Sequence, residues 1–213
     1  MYKEKLFWAV LILLITGTAA NAQRTWFDME MTKDISKKFE ISLCPAIRFK
    51  EGFDFNEYFL EPAVKYEFNK YFSLGANYRL GNNLDKNGDA HWYGRYALEA
   101  KTGYKWNQLE IQFRLRYTNF DDFSREKDQN LKYLRLKFQL EYEIRKFDLK
   151  PYTLYEFYRD LDEADFTKAR WEGGLEYKIN KHHRVGTYFR LNDYLTVDTE
   201  SIKIIGVSYK LKL

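Results

Sequence analysis

The chain contains one cysteine and three prolines in 213 residues. Cys44 therefore has no partner for an intramolecular disulfide; a buried, inert thiol is the expectation and a functional thiol the alternative. Long apolar runs are missing beyond the first 22 residues. With 31% charged residues and a mean hydropathy of −0.62, a bundle of membrane helices is excluded. Charge of one sign is scarce too, since a net +4 is too small to argue for nucleic acid. What is abundant is aromatic: 18 Tyr, 17 Phe and 5 Trp make 19% of the chain. So many rings beside so many charges suggest strands with one greasy and one polar face.

The N-terminus reads as an address. Lys3 and Lys5 precede the apolar run Leu6 to Ile15, and small residues lead to Ala20-Asn21-Ala22, an A-x-A cleavage signal. Residues 1–22 are thus expected to be a cleaved signal peptide and residues 23–213 a single domain, with a retained anchor helix as the alternative. No cysteine stands at the cleavage point, which argues against a lipid anchor. Loss of Lys3, Lys5 and Glu4 takes the net charge from +4 to +3.

A period of two runs through nearly all of the remainder. Leu109, Ile111, Phe113, Leu115 and Tyr117 alternate with Glu110, Gln112, Arg114, Arg116 and Thr118, a split that no helix satisfies. Leu134, Leu136, Phe138, Leu140, Tyr142 and Ile144 alternate with Tyr133, Arg135, Lys137, Gln139, Glu141 and Glu143 in the same way. The pattern predicts strands over 24–33, 38–49, 57–68, 71–81, 90–104, 109–119, 131–144, 148–159, 166–179, 183–192 and 200–212. Short connections alternate with longer ones, as in an outer-membrane barrel with periplasmic turns and extracellular loops. The segments are long enough to cross a membrane when tilted.

The polar faces separate this barrel from a soluble one. They carry Glu61, Lys65, Arg79, Arg95, Glu99, Arg114, Arg116, Arg135, Lys137, Glu141, Arg170, Glu172 and Arg190. A lipocalin-like barrel would turn these outward and bury the apolar faces. The apolar faces are long and continuous, however, and Tyr71, Phe72, Trp92, Tyr104, Trp106, Tyr117, Phe120 and Trp171 gather toward strand ends, where membrane girdles would lie. The expected fold is all-β: an antiparallel up-and-down transmembrane β-barrel of 10 to 12 strands with short periplasmic turns and longer acidic extracellular loops. Single-chain bacterial barrels prefer even counts. Ten strands from residue 38 onward would close with both ends periplasmic, leaving 24–33 to extend an edge, lie in the lumen, or signal a twelfth strand.

An internal repeat marks the hairpin as the unit. VKYEFNKYFSLGANYRL, beginning at Val64, matches LEYKINKHHRVGTYFRL, beginning at Leu175, in Tyr66/Tyr177, Asn69-Lys70/Asn180-Lys181, Gly75/Gly186 and Arg79-Leu80/Arg190-Leu191. The signal segment ending in Ala-Gln, the Trp26 strand, Tyr58-Phe59-Leu60-Glu61-Pro62, the Tyr66 to Gly75 hairpin and the late Leu175 to Leu191 hairpin resemble a family of exported bacterial proteins. That family is classed only as a domain of unknown function, family 2490, and regarded as outer-membrane barrels. The resemblance implies fold and address; it brings no catalytic or binding residue.

Chemistry is weakly signalled. His91 and Ser124, with Glu99 or a loop aspartate, are the one nucleophilic arrangement to weigh, and His182 and His183 sit in a short turn without a nearby serine. Acidic residues cluster in the longer loops: Glu51, Asp54 and Glu57; Asp85 and Asp89; Asp121, Asp122, Glu126 and Asp128; Asp160, Asp162, Glu163 and Asp165; Asp193, Asp198 and Glu200. Short turns carry Lys and Arg. Such loops suit divalent cations bridging lipopolysaccharide, although neither Asp85 to Asp89 nor Asp160 to Asp165 completes a calcium loop. No cofactor or catalytic residue is expected. The expected partners are outer-membrane lipid, lipopolysaccharide and the barrel assembly machinery, without nucleic acid. Function reads first as a structural or interaction barrel with a charged lumen, second as a narrow channel or transporter for a small polar solute, third as a lipid-modifying enzyme.

Overall fold

A computed structural model describes residues 22–84, 88–122 and 131–213. They form eleven strands: β1 (Arg24–Asp34), β2 (Phe39–Phe49), β3 (Phe55–Asn69), β4 (Phe72–Leu84), β5 (Ala90–Trp106), β6 (Leu109–Asp122), β7 (Leu131–Tyr142), β8 (Leu149–Asp160), β9 (Phe166–Lys178), β10 (His183–Tyr194) and β11 (Ile202–Lys212). Each strand hydrogen-bonds to the next and the sheet closes on itself through β1 and β11. The shortest strands have 11 residues. At about 3.3 Å per residue and a tilt of about 45°, that spans roughly 25 Å, the height of a membrane barrel's apolar band.

Closure differs from the antiparallel expectation at one seam. Residues 24–34 are a full stave of the wall, neither surplus nor lodged in the lumen: β1 pairs antiparallel with β2 and parallel with β11, in register from Arg24↔Ile204 to Thr32↔Lys212. An odd count in a meander forces this, because the first and last strands then run the same way. Both descend from the longer-loop rim to the short-turn rim. The seam has no edge left to pair with another chain, as closure requires.

Alternation places the two chemistries on opposite faces. The outward residues Phe27, Ile47, Leu60, Val64, Leu74, Leu98, Ile111, Phe138 and Leu140 are exposed, while the buried set includes the charged Glu61, Arg79, Arg135, Glu156 and Glu172. A soluble protein has the reverse arrangement, so the apolar face is the one that meets lipid. Aromatics ring both ends. At the longer-loop rim Phe27, Phe49, Phe55, Tyr58 and Trp92 run in edge or tilted ring contacts of 5.9 to 6.2 Å, and at the other rim Tyr71 stacks on Tyr104 at 5.9 Å. Two expected girdle members lie elsewhere. Phe120 faces inward in register with Arg95 and stacks on Tyr93, and Trp171 lies on the outer face in mid-strand, paired with Tyr155.

The internal repeat is visible as geometry. Asn69 Oδ1 accepts from the amides of Tyr71 and Phe72 at 2.8 and 3.0 Å, and Asn180 Oδ1 accepts from those of His182 and His183 at 2.8 and 2.9 Å. One asparagine thus caps each turn and fixes the register of its hairpin.

Candidate functional site: a charged lumen

The polar faces of neighbouring strands meet in register, so the lumen is built in rows. One row runs Lys101, Arg114, Lys137, Glu156, Arg170 across β5 to β9, and the next runs Glu99, Arg116, Arg135, Tyr158, Lys168. Glu156 is the hub. It accepts from Arg114 at 2.8 Å, Arg135 at 2.9 Å and Arg170 at 3.3 Å, and from the Tyr158 hydroxyl at 2.9 Å. Glu99 pairs with Arg116 at 2.6 Å and lies 3.6 Å from Arg114. On the other flank Glu61 holds Arg79 at 2.7 Å and Arg95 at 2.8 Å, and Glu172 holds Arg190 at 2.6 Å. Of the remaining residues expected here, Lys65 pairs with Glu40 at 3.0 Å and Glu141 with Lys150 at 2.5 Å, both nearer the short-turn rim. Lys137 donates to Gln139 at 2.6 Å.

The sector from β10 through β1 to β4 is held by guanidinium planes on rings. Arg190 and Arg48 both lie over Trp26, at 4.6 and 3.9 Å from the ring centre, and Arg48 and Arg79 both lie over Phe59, at 4.6 and 3.4 Å. Cation–π contacts of this kind gain strength where water is excluded. All these contacts run around the wall. Among the described residues every ion pair between strands joins partners one or two strands apart around the wall; none crosses the barrel. A water-accessible cavity of about 310 Å³ remains, bounded on one flank by Arg114, Arg135 and Lys137 and on the other by Glu172, Tyr188 and Lys210.

Tyrosines are kept flat against the same wall by glycines. Tyr93, Tyr152 and Tyr188 stand directly opposite Gly81, Gly174 and Gly206 on the adjacent strand, and a Cβ on those glycines would fall 2.4, 2.6 and 1.9 Å from the ring. Each hydroxyl donates to a carboxylate, Tyr93 to Glu57, Tyr152 to Glu172 and Tyr188 to Asp28. A ring lying on a glycine occupies wall instead of lumen.

A comparison with protein-family profiles matches residues 23–199 to the family described as "Protein of unknown function (DUF2490)". The chain belongs to that family. A comparison with curated proteins returns no match. Among solved structures this DUF2490 barrel is similar to "KdgM porin in complex with disordered oligogalacturonate", at 14% identity and a TM-score of 0.49, covering 81% of this chain and 91% of the other. It is similar to the loop L8 deletion mutant of the outer membrane protein OmpT of Vibrio cholerae, at 14% identity and a TM-score of 0.45, covering 82% and 59%. It is also similar to the β domain of the Bordetella autotransporter BrkA, at 12% and 0.48, covering 83% of each chain.

Other residues singled out in the sequence have structural employment. Glu57, grouped above with the rim acids, faces inward on β3 and accepts from Arg48 at 2.8 Å. Asp160 Oδ1 accepts from the amides of Asp162 and Glu163 at 2.9 and 3.2 Å, capping the turn after β8. His182 Nδ1 contacts the Lys212 carbonyl at 2.7 Å and His183 Nδ1 the Tyr209 hydroxyl at 2.5 Å. Ser124, Asp85, Glu126, Asp128 and the signal segment to Asn21 lie outside the described residues, as do the side chains of Asp121 and Asp122. Among the described residues no three His, Cys, Asp or Glu side chains converge on a metal-sized point.

The hub itself escaped sequence reading: Glu156 sits in a strand whose inward face also carries Tyr152, Leu154 and Tyr158. A signal did exist for the other pairs. Glu61–Arg79 and Glu172–Arg190 are both separated by 18 residues, so the 111-residue offset of the repeat, from Arg79 to Arg190, also carries Glu61 onto Glu172.

Proposed function

We propose that this barrel is a narrow outer-membrane channel for small polar solutes, exported by its N-terminal signal segment. The observation that carries the reading is that lumen ion pairs run around the wall and leave a cavity lined by charged side chains between the flanks. A barrel built only for rigidity gains most from pairs that bridge the lumen and fill it, whereas a conduit keeps its charges paired sideways. Eleven strands enclose far less than a 16-stranded porin, so passage is restricted to solutes that shed part of their hydration and meet the charged wall directly.

Planar-bilayer recording of the refolded mature chain tests this. Discrete, stable conductance steps are expected from protein that shows heat-modifiable gel migration. Silent bilayers from protein folded by that criterion would remove the channel and leave the structural or interaction barrel. N-terminal sequencing of membrane-extracted protein is expected to begin at Gln23.

A further inference from the structure

The two mid-barrel rows across β5 to β9 are unbalanced. Seven cations, Lys101, Arg114, Arg116, Arg135, Lys137, Lys168 and Arg170, face only Glu99 and Glu156. Three like-charged pairs stand directly opposite on neighbouring strands: Lys101/Arg114, Arg114/Lys137 and Arg116/Arg135. Like charges so placed destabilise a sheet. Among the described residues Lys101, Lys137 and Lys168 form no ion pair; Lys137 has only Gln139, and Lys168 only the rings of Tyr158 and Tyr194. Buried Nε atoms of Arg95 and Arg114 lack an acceptor. Holding three half-buried lysines without an ionic partner is costly unless an anion completes the set.

We infer that the flank formed by Arg114, Arg116, Arg135 and Lys137, with Lys101 beside Arg114 in the same row, is a binding site for small oxyanions, the carboxylate or phosphate groups of solutes that enter the lumen. The adjoining cavity of about 310 Å³ holds about ten waters at roughly 30 Å³ each, room for a small polycarboxylate or a diphosphate but not for a folded chain. Guanidinium forks suit bidentate oxyanion binding and the lysines add mobile charge. Binding rests on the lumen geometry alone; transport of the bound anion rests also on the channel reading.

The test uses the refolded mature barrel in detergent at low salt, titrated calorimetrically with citrate and, separately, pyrophosphate. Wild type is expected to bind one or both, the preferred probe distinguishing carboxylate from phosphate. Lys137→Gln, at the cavity wall, weakens binding severalfold, and Lys101→Gln, one strand further from the cavity beside Arg114, weakens it less; Lys105→Gln, whose side chain pairs with Glu143 beside the short-turn rim, leaves it unchanged. Both lumen variants remove an uncompensated cation and are expected to fold at least as stably as wild type. Absence of binding to both probes, or binding unaltered in both lumen variants, overturns the site. In bilayers under a KCl gradient the reversal potential is expected to favour chloride. Preference for potassium would overturn the inference while sparing the channel, and citrate binding with silent bilayers would do the opposite.

Discussion

Replacing Glu156 with Gln isolates charge from shape. The side chain is 2% exposed and accepts from three guanidinium groups at 2.8 to 3.3 Å. At an effective dielectric of about 20, one such pair at about 4 Å is worth roughly 4 kcal/mol. Three pairs do not sum, because each ion also costs several kcal/mol to desolvate. Gln keeps the volume and one acceptor oxygen, so what is lost is the compensation of Arg114, Arg135 and Arg170. Breaking a buried pair of this kind costs about 3–5 kcal/mol. Equilibrium urea unfolding of the barrel in lipid vesicles reads that loss directly, and added citrate is expected to restore part of it by neutralising the same guanidinium groups. The variant also carries opposite signs in two assays: stability falls while citrate affinity and chloride preference rise, since the flank becomes more positive. A destabilisation below about 1 kcal/mol, the range of an exposed pair, would refute the account of Glu156 as hub.

Three further outcomes follow from the wall. Leu98→Arg, at an outward position 56% exposed and central in the 17-residue β5, is expected to cost about 2–4 kcal/mol in lipid; an effect within about 0.5 kcal/mol, as on an aqueous surface, would remove the lipid-facing assignment. Gly206→Ala sets a Cβ 1.9 Å from the Tyr188 ring and is expected to cost about 1–3 kcal/mol, less when Tyr188→Ala accompanies it; additive losses in unfolding measurements would show that ring and glycine do not meet. Phe27→Cys with Val207→Cys, partners across the parallel seam, should cross-link under mild oxidation in a Cys44→Ser background. Phe27→Cys with Leu211→Cys should not, and equal cross-linking of both would contradict the seam.

How far the site was legible depended on which neighbours the residues needed. Arg114, Arg116, Arg135 and Lys137 announce their inward direction locally, because each stands between outward apolar residues at a period of two. Glu156 does not: its strand mixes Tyr152, Leu154 and Tyr158 on the inward face, and its importance comes from three arginines on β6, β7 and β9. Phe120 misleads for a related reason, since an aromatic at a strand end suits a girdle as well as a stack on Tyr93.

Alternation, turn residues and composition by themselves determined a membrane barrel, the bounds of its strands to within a few residues and the sign of each face, since all of these are properties of a residue and its nearest neighbours. Tertiary closure decided the rest. Residues 24–34 become wall only because β11 offers a free edge running the same way, and inward arginines become a cation-rich flank only because register sets Lys101, Arg114 and Lys137 side by side. Pairing between strands depends on shear and closure around the whole ring, information that no single strand carries.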